Sequence, residues 1–223
     1  MSSILVTGAD KGLGLELVRT YCADGADVIA CALAPDSADE LRATGARVLK
    51  MDVTRPEDIM SVSRALNGQP LDLLINNAGI TGYGSFGDLD YEIFERAVVT
   101  NLFGSLRVSE ALLANIEAGQ KKTIATVTSG LASIADRSYT GALPYRASKA
   151  ALNMGLRCMA EDLADKGVKV LSLHPGHIKT DMGGPYATVD TADSAAGLKQ
   201  VIEAAPYSGE LKFLDWEGRE LPW

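Results

Sequence analysis

The chain has 223 residues, 47% of them hydrophobic, which suits one well-filled α/β domain spanning residues 1–223. A net charge of −8 and a pI near 4.8 argue against a nucleic-acid surface and against a basic membrane face. No signal peptide is visible and no apolar run approaches the roughly 20 residues of a membrane helix, so a cytoplasmic protein is expected.

Short apolar runs alternate along the chain with longer amphipathic stretches. Strands are expected at Ile4–Thr7, Asp27–Leu33, Arg47–Met51, Leu71–Asn76, Lys122–Thr128, Lys169–Leu173 and Leu211–Leu214. Between them, helices are expected at Leu13–Ala23, Ser37–Thr44, Pro56–Leu66, Phe94–Ala118, Leu143–Ala164 and Ala192–Ala204. Such alternation builds βαβ units, hence a doubly wound, Rossmann-type α/β fold with a seven-stranded parallel sheet and helices on both faces. Cys22, Cys31 and Cys158 are odd in number, widely spaced and set among apolar neighbours, which reads as three buried, reduced thiols. The two histidines, His174 and His177, lack clustered partners and make no metal-ligand set, so no metal is expected. His174 is expected to be a satisfied structural residue.

The residues with chemical potential fall at the carboxyl ends of the expected strands, the edge where open α/β sheets bind ligands. Thr7-Gly8-Ala9-Asp10-Lys11-Gly12-Leu13-Gly14 follows the first strand and opens the first helix. Its glycines permit a tight turn and close backbone approach, so a pyrophosphate can rest at the positive helix N-terminus. The spacing departs from the usual G-x-G-x-x-G, and a plain Gly-rich turn is the alternative. Asn76-Asn77-Ala78-Gly79 ends the fourth strand, with amides suited to tying strands together and small residues that leave room for a flat ligand. The Gly-rich stretch 79–87 then sits where such folds place ligand loops. Asn101, among Val98, Val99, Leu102 and Phe103, needs a polar partner. Ser129 closes the fifth strand, with Ser133 as competitor for a catalytic hydroxyl. His174-Pro175-Gly176 closes the sixth, where Pro-Gly suits a plain turn equally well. In Tyr145-Arg146-Ala147-Ser148-Lys149 a phenol and an ammonium share one helical face. The ammonium would favour the tyrosinate and lower its pKa, which tunes the phenol for acid–base work. Alone, that pair is a frequent coincidence of amphipathic helices.

Taken together and in this order, the motifs resemble the short-chain dehydrogenase/reductase family from Ile4 to about Met182. The short length, the segments Tyr145–Met154 and Lys179–Pro185, and the ending Phe213–Trp223 resemble its C-signal-like and carbonyl-reductase-like branch. The resemblance implies that Tyr145 protonates a carbonyl oxygen while a nicotinamide delivers hydride to its carbon. Lys149 would hold the nicotinamide ribose and depress the Tyr145 pKa. Ser129 would bind the substrate oxygen, and Asn101 would position a water linking Lys149 to solvent. The resemblance places the dinucleotide on Gly8, Asp10, Lys11, Gly12, Leu13 and Gly14, with Asp52 and Val53 flanking adenine. Asn77, Ala78 and Gly79 would line its middle, and Pro175, Gly176, Ile178 and Thr180 its carboxamide end.

Ser129 precedes Tyr145 by sixteen residues, more than is usual for the family, so Asp136–Gly141 looks inserted; Ser133 precedes it by twelve. The second strand ends Cys31-Ala32-Leu33-Ala34, offering neither an acid for a ribose hydroxyl nor a base for a phosphate. Lys11 is well placed for a 2′-phosphate, which favours NADP(H) over NAD(H). Tyr83, Leu131, Tyr139, His177, Met182 and Tyr186 are the substrate-side candidates, and the brief Met182–Thr191 segment implies an open site. The expected partner is a small ketone, aldehyde or alcohol. A homodimer through the helices beginning near Asn101 and Leu143 and a monomer both stay open. So does a signalling protein that binds a dinucleotide with little turnover, although the intact Asn101, Ser129, Tyr145 and Lys149 set favours an enzyme.

Overall fold

A computed structural model describes residues 1–136, 141–207 and 209–223. Tyr139, and with it most of the stretch that looks inserted, lies outside the described residues. The elements run β1 (Ser3–Thr7), α1 (Gly12–Ala23), β2 (Asp27–Ala32), α2 (Asp39–Arg42), β3 (Arg47–Lys50), α3 (Pro56–Leu66) and β4 (Leu73–Asn76). They continue with α4 (Tyr91–Val98), α5 (Ser105–Ala111), α6 (Leu113–Ala118), β5 (Thr123–Val127), α7 (Leu143–Asp162), β6 (Lys169–His174), α8 (Thr191–Ala204) and β7 (Lys212–Asp215).

All seven strands join one parallel sheet in the order β3-β2-β1-β4-β5-β6-β7. Successive side chains of a strand point to opposite faces, and that divides the core in two. Ile4 and Val6 of β1 pack with α1 and α8, whereas Leu5 packs with α3, α5 and α7. A strand buried on both faces reads as an unbroken apolar run, as Ile4-Leu5-Val6 does. The chain leaves β1 toward β2 and β3, then returns to lay β4 on the other side of β1. This reversal opens a crevice at the carboxyl ends of β1 and β4. Among the described residues no helix is long and apolar enough to cross a membrane.

Two expectations about helices change. The stretch expected as one helix over Phe94–Ala118 starts earlier, because Asp90 caps Tyr91–Val98 by accepting from the amides of Glu92 and Ile93. It then widens into a π-helical turn over Val99–Gly104 and breaks again at Leu112. The Ser37–Thr44 helix shrinks to a 3₁₀ turn, Pro35–Ser37, and the four residues of α2. The expectation for the cysteines also needs correction: Cys31 is buried and Cys22 half-buried, but Cys158 is exposed on the outer face of α7. All three are free thiols.

Candidate active site

The glycine turn is held by close backbone contact. Gly8 (φ +61°) lies against Ala78, where a Cβ would come within 2.8 Å of the Ala78 Cα. A Cβ on Gly14 would stand 2.1 Å from the Gly8 carbonyl oxygen and 2.6 Å from the Asn77 amide nitrogen. That amide donates to the carbonyls of Thr7 (3.0 Å) and Gly8 (2.9 Å). The Thr7 hydroxyl accepts from the backbone amides of Asn77 (3.0 Å) and Ala78 (3.1 Å). Turn and β4 end are thereby locked together. Lys11 is the extended N-cap of α1; no side chain caps this helix and its first turn carries no acid. Bare amides and the positive end of the helix dipole are what a pyrophosphate needs, so the residues present fit one. Leu13 points into the core, so only its backbone faces the turn.

The far wall comes from the chain after β6. A Cβ on Gly12 would touch the Thr180 methyl at 3.2 Å, and exposed Lys11 pairs with exposed Asp181 at 3.3 Å. Gly176 (φ +82°) has no room for a side chain, since a Cβ would lie 3.0 Å from the Trp216 ring. Ser194 donates to the Pro175 carbonyl (2.7 Å), and Ile178 packs against the core. Asp52 caps its own turn by accepting from the amide (2.9 Å) and hydroxyl (2.7 Å) of Thr54. Val53 is buried and wedged against Gly104 of the π turn, where a Cβ would come to 2.7 Å.

Tyr145 stands in the first turn of α7, whose free amides reach carbonyls of the loop after β4. Leu143 donates to Gly84 (3.0 Å) and Tyr145 to Gly82 (3.4 Å). That docking brings Tyr83 beside Tyr145. The Ser129 hydroxyl lies close enough to the Tyr145 phenol to lower its pKa. Burial raises the Tyr145 pKa above its ordinary value, the nearby Ser129 hydroxyl lowers it by less, and the neighbouring Tyr83 adds to the rise. This corrects the expected depression by Lys149. That ammonium is itself buried, donates to the Val127 carbonyl at 2.8 Å, and is pushed down to about 8 by desolvation.

Asn101 sits fully buried in the π turn, a distortion that often marks functional sites. Its Oδ1 accepts from the Ile80 amide (2.8 Å), and its Nδ2 donates to the Ile80 carbonyl (3.0 Å) and the Ser148 hydroxyl (2.9 Å). Ser148 donates to the Tyr145 carbonyl at 2.7 Å. Both Asn101 amide hydrogens are therefore used by protein, which leaves only acceptor capacity for a water. Gly79 completes the junction: a Cβ there would lie 3.1 Å from Asn101 Oδ1 and 3.5 Å from Lys149 Nζ.

Ser129 caps a 3₁₀ turn, Gly130–Ala132, by accepting from the Leu131 amide (3.2 Å). Ser133 turns away; its hydroxyl donates to a main-chain oxygen of Trp223 (3.2 Å) and accepts from the Asp136 amide (2.9 Å). His174 lies largely buried against Gly130, and burial pushes its pKa down to about 4. Among the described residues its Nδ1 has no hydrogen-bond partner, contrary to the satisfied residue expected there. The other substrate-side candidates are solvent-facing. Tyr83 is 69% exposed, Met182 46% and Tyr186 85%, while Leu131 is half-buried. His177 is exposed and its Nε2 bonds the Gly183 carbonyl at 2.7 Å. Among the described residues no three His, Cys, Asp or Glu gather as metal ligands. Sequence reasoning missed Thr7 and Ser148 as organisers, although a hydroxyl beside the glycine turn and one beside the lysine were the available signals.

The chain matches the family described as short chain dehydrogenase over residues 2–190. It is 36% identical over 230 residues to the 1-hydroxy-2-glutathionyl-2-methyl-3-butene dehydrogenase of Rhodococcus sp. (strain AD45), covering all of both chains. It is 43% identical over 155 residues to the C-signal of Myxococcus xanthus, covering 69% of this chain and 93% of that one. Among solved structures it resembles an NADPH-bound carbonyl reductase from chicken fatty liver, with a TM-score of 0.92 and 32% identity. That likeness covers 100% of this chain and 99% of the other.

Proposed function

The chain belongs to the short-chain dehydrogenase family, and from that premise we propose that it is a carbonyl reductase for ketones or aldehydes, using NADP(H) in preference to NAD(H). The observation that carries this reading is the nearness of the Tyr145 phenol to the Ser129 hydroxyl at the carboxyl edge of the sheet, with the Lys149 ammonium buried one helical turn behind and held by the Val127 carbonyl. One unit over residues 1–223 contributes every part of it. A bound nicotinamide dinucleotide supplies the hydride.

The protein's own residues do the rest. The Tyr145 and Ser129 hydroxyls together offer two donors to a carbonyl oxygen and stabilise negative charge as it develops there. A phenol is protonated at neutral pH and burial raises the Tyr145 pKa further, so Tyr145 carries the proton which that oxygen takes up. This favours reduction; oxidation of an alcohol needs the tyrosinate and gains as pH rises. Lys149 places a positive charge where ribose hydroxyls would lie, and Gly79 leaves the space for it. Asn101 holds the Ile80 loop to α7, which fixes the height of Tyr145 above the crevice. Ser129 is favoured over Ser133 because Ser133 is spent on the Trp223 oxygen. The bare α1 turn suits a pyrophosphate, and Lys11 at its mouth supports the NADP(H) preference. The solvent-facing apolar surface of Tyr83, Met182 and Tyr186 supports a substrate with an apolar body. The complete acid–base set favours turnover over dinucleotide sensing alone.

The test is a screen of ketones and aldehydes with NADPH and NADH at equal concentration, run beside Tyr145→Phe. Loss of turnover in the variant by about 10²-fold or more, with unchanged cofactor affinity, is expected. Reduction that survives the substitution refutes the acid role, and faster turnover with NADH refutes the cofactor preference.

A further inference from the structure

The segment after β7 reaches back to the active site. Around Asp215 the chain turns, with the Asp215 amide donating to the Arg219 carbonyl (2.9 Å) and the Leu221 amide to the Phe213 carbonyl (2.8 Å). The Trp223 ring then stacks on fully buried Phe213, with centroids 5.3 Å apart and planes inclined by 26°. So anchored, a main-chain oxygen of Trp223 accepts from the Ser133 hydroxyl (3.2 Å) and from the amides of Ile134 (3.0 Å) and Ala135 (2.9 Å).

These three donors form the rear of a short stretch whose front carries the catalytic hydroxyl. Between them run the Ala132 amide to the Ser129 carbonyl (2.9 Å) and the Ser133 amide to the Gly130 carbonyl (3.1 Å). The Leu131 amide bonds the Ser129 hydroxyl itself. Gly130 leaves no slack below, since a Cβ there would meet His174 at 3.2 Å.

We infer that Leu221–Trp223 is a strap that positions the substrate wall, with Trp223 as a positioning residue that sets how a carbonyl compound is seated against Ser129 and Tyr145. This rests on the reductase reading above. Trp223 touches none of the reacting atoms; it acts through Ser133, Ile134 and Ala135. Loss of the ring lets the rear of the stretch drift, and drift there moves Leu131 and the Ser129 hydroxyl. The dinucleotide turn, on the other side of the crevice, is untouched.

The test compares the full chain with Trp223→Ala, Trp223→Phe and Ser133→Ala. The measurements are amide hydrogen exchange at Leu131, Ile134 and Ala135, NADPH affinity, and kcat and KM for a ketone reduced by the wild type. In Trp223→Ala all three amides should exchange faster, and kcat/KM should fall about tenfold or more, carried mainly by KM. NADPH affinity should stay within about twofold, and Phe, which keeps the stack, should restore most of the loss. A Trp223→Ala variant with wild-type KM overturns the strap, as does one that loses kcat alone through a smaller folded fraction. If Trp223→Ala does not fold, Ser133→Ala carries the test: it should raise KM and speed exchange at Leu131, and wild-type values refute the strap. If the wild type reduces no carbonyl compound, the reductase reading fails separately. The strap then stands or falls on whether exchange at Leu131 rises in Trp223→Ala.

Discussion

On the dinucleotide side of the crevice, backbone meets backbone: Gly8 lies on Ala78, Gly14 on the Gly8 carbonyl, and one amide, that of Asn77, ties two consecutive carbonyls. On the substrate side, the candidates are side chains turned to solvent on loops, such as Tyr83 and Tyr186. Gly8 and Gly14 of the first region tolerate no side chain, because a Cβ at either would come closer than 3.0 Å to neighbouring backbone. The second can change its side chains without disturbing the sheet. A common chemistry can therefore be kept while the molecule acted upon varies.

The sharpest way to break this comparison is Gly14→Ala. Its Cβ would strike backbone that cannot move independently of β1 and β4, so a loss of about 3 kcal/mol or more is expected in chemical denaturation. Near-wild-type stability would show that the close approach is dispensable. At the junction between the regions, Lys149 gives the next effect. Burial holds its ammonium at about 8, against an ordinary 10.5 in the unfolded chain. Between those values the unfolded chain binds the extra proton, so wild-type stability rises with pH from 8 to 10.5 and the full burial cost is felt below 8. Relative to Lys149→Met, which cannot titrate, the gain across that window should be about 3 kcal/mol. A flat difference between the two stability curves would mean that the lysine is hydrated. The smallest effect is expected for Tyr186→Ala, with stability changed by less than about 0.5 kcal/mol. Its readout is a change in KM among ketones of different size, with cofactor affinity constant. A large stability loss would place Tyr186 with the packed region instead.

Legibility follows the same division. The glycine turn could be read because each glycine answers a local demand of a strand–turn–helix. Tyr145 and Lys149 could be read because four residues make one helical turn. The interruption of the Phe94–Ala118 stretch could not. Nothing in local propensity marks the π turn, which is seen only where Val53 meets Gly104 and Asn101 bonds Ile80 and Ser148. Cys158 looked buried because Leu156, Met159 and Ala160 near it are apolar, yet the helix turns it outward.

The amino-acid sequence by itself determined the alternation of strand and helix, the glycine-rich turn after the first strand, and the placing of a tyrosine and a lysine on one helical face. Periodicity and spacing suffice for these because they are properties of neighbours along the chain. Only the tertiary structure decided that the Tyr145 pKa is raised rather than lowered, that the Ser129 hydroxyl lies near it while Ser133 bonds Trp223, and that the chain after β7 packs back on residues 133–135. Each of these depends on burial or on partners far apart in sequence, as Ser133 and Trp223 are at 90 residues. Desolvation and long-range contact come into being only when the sheet is assembled.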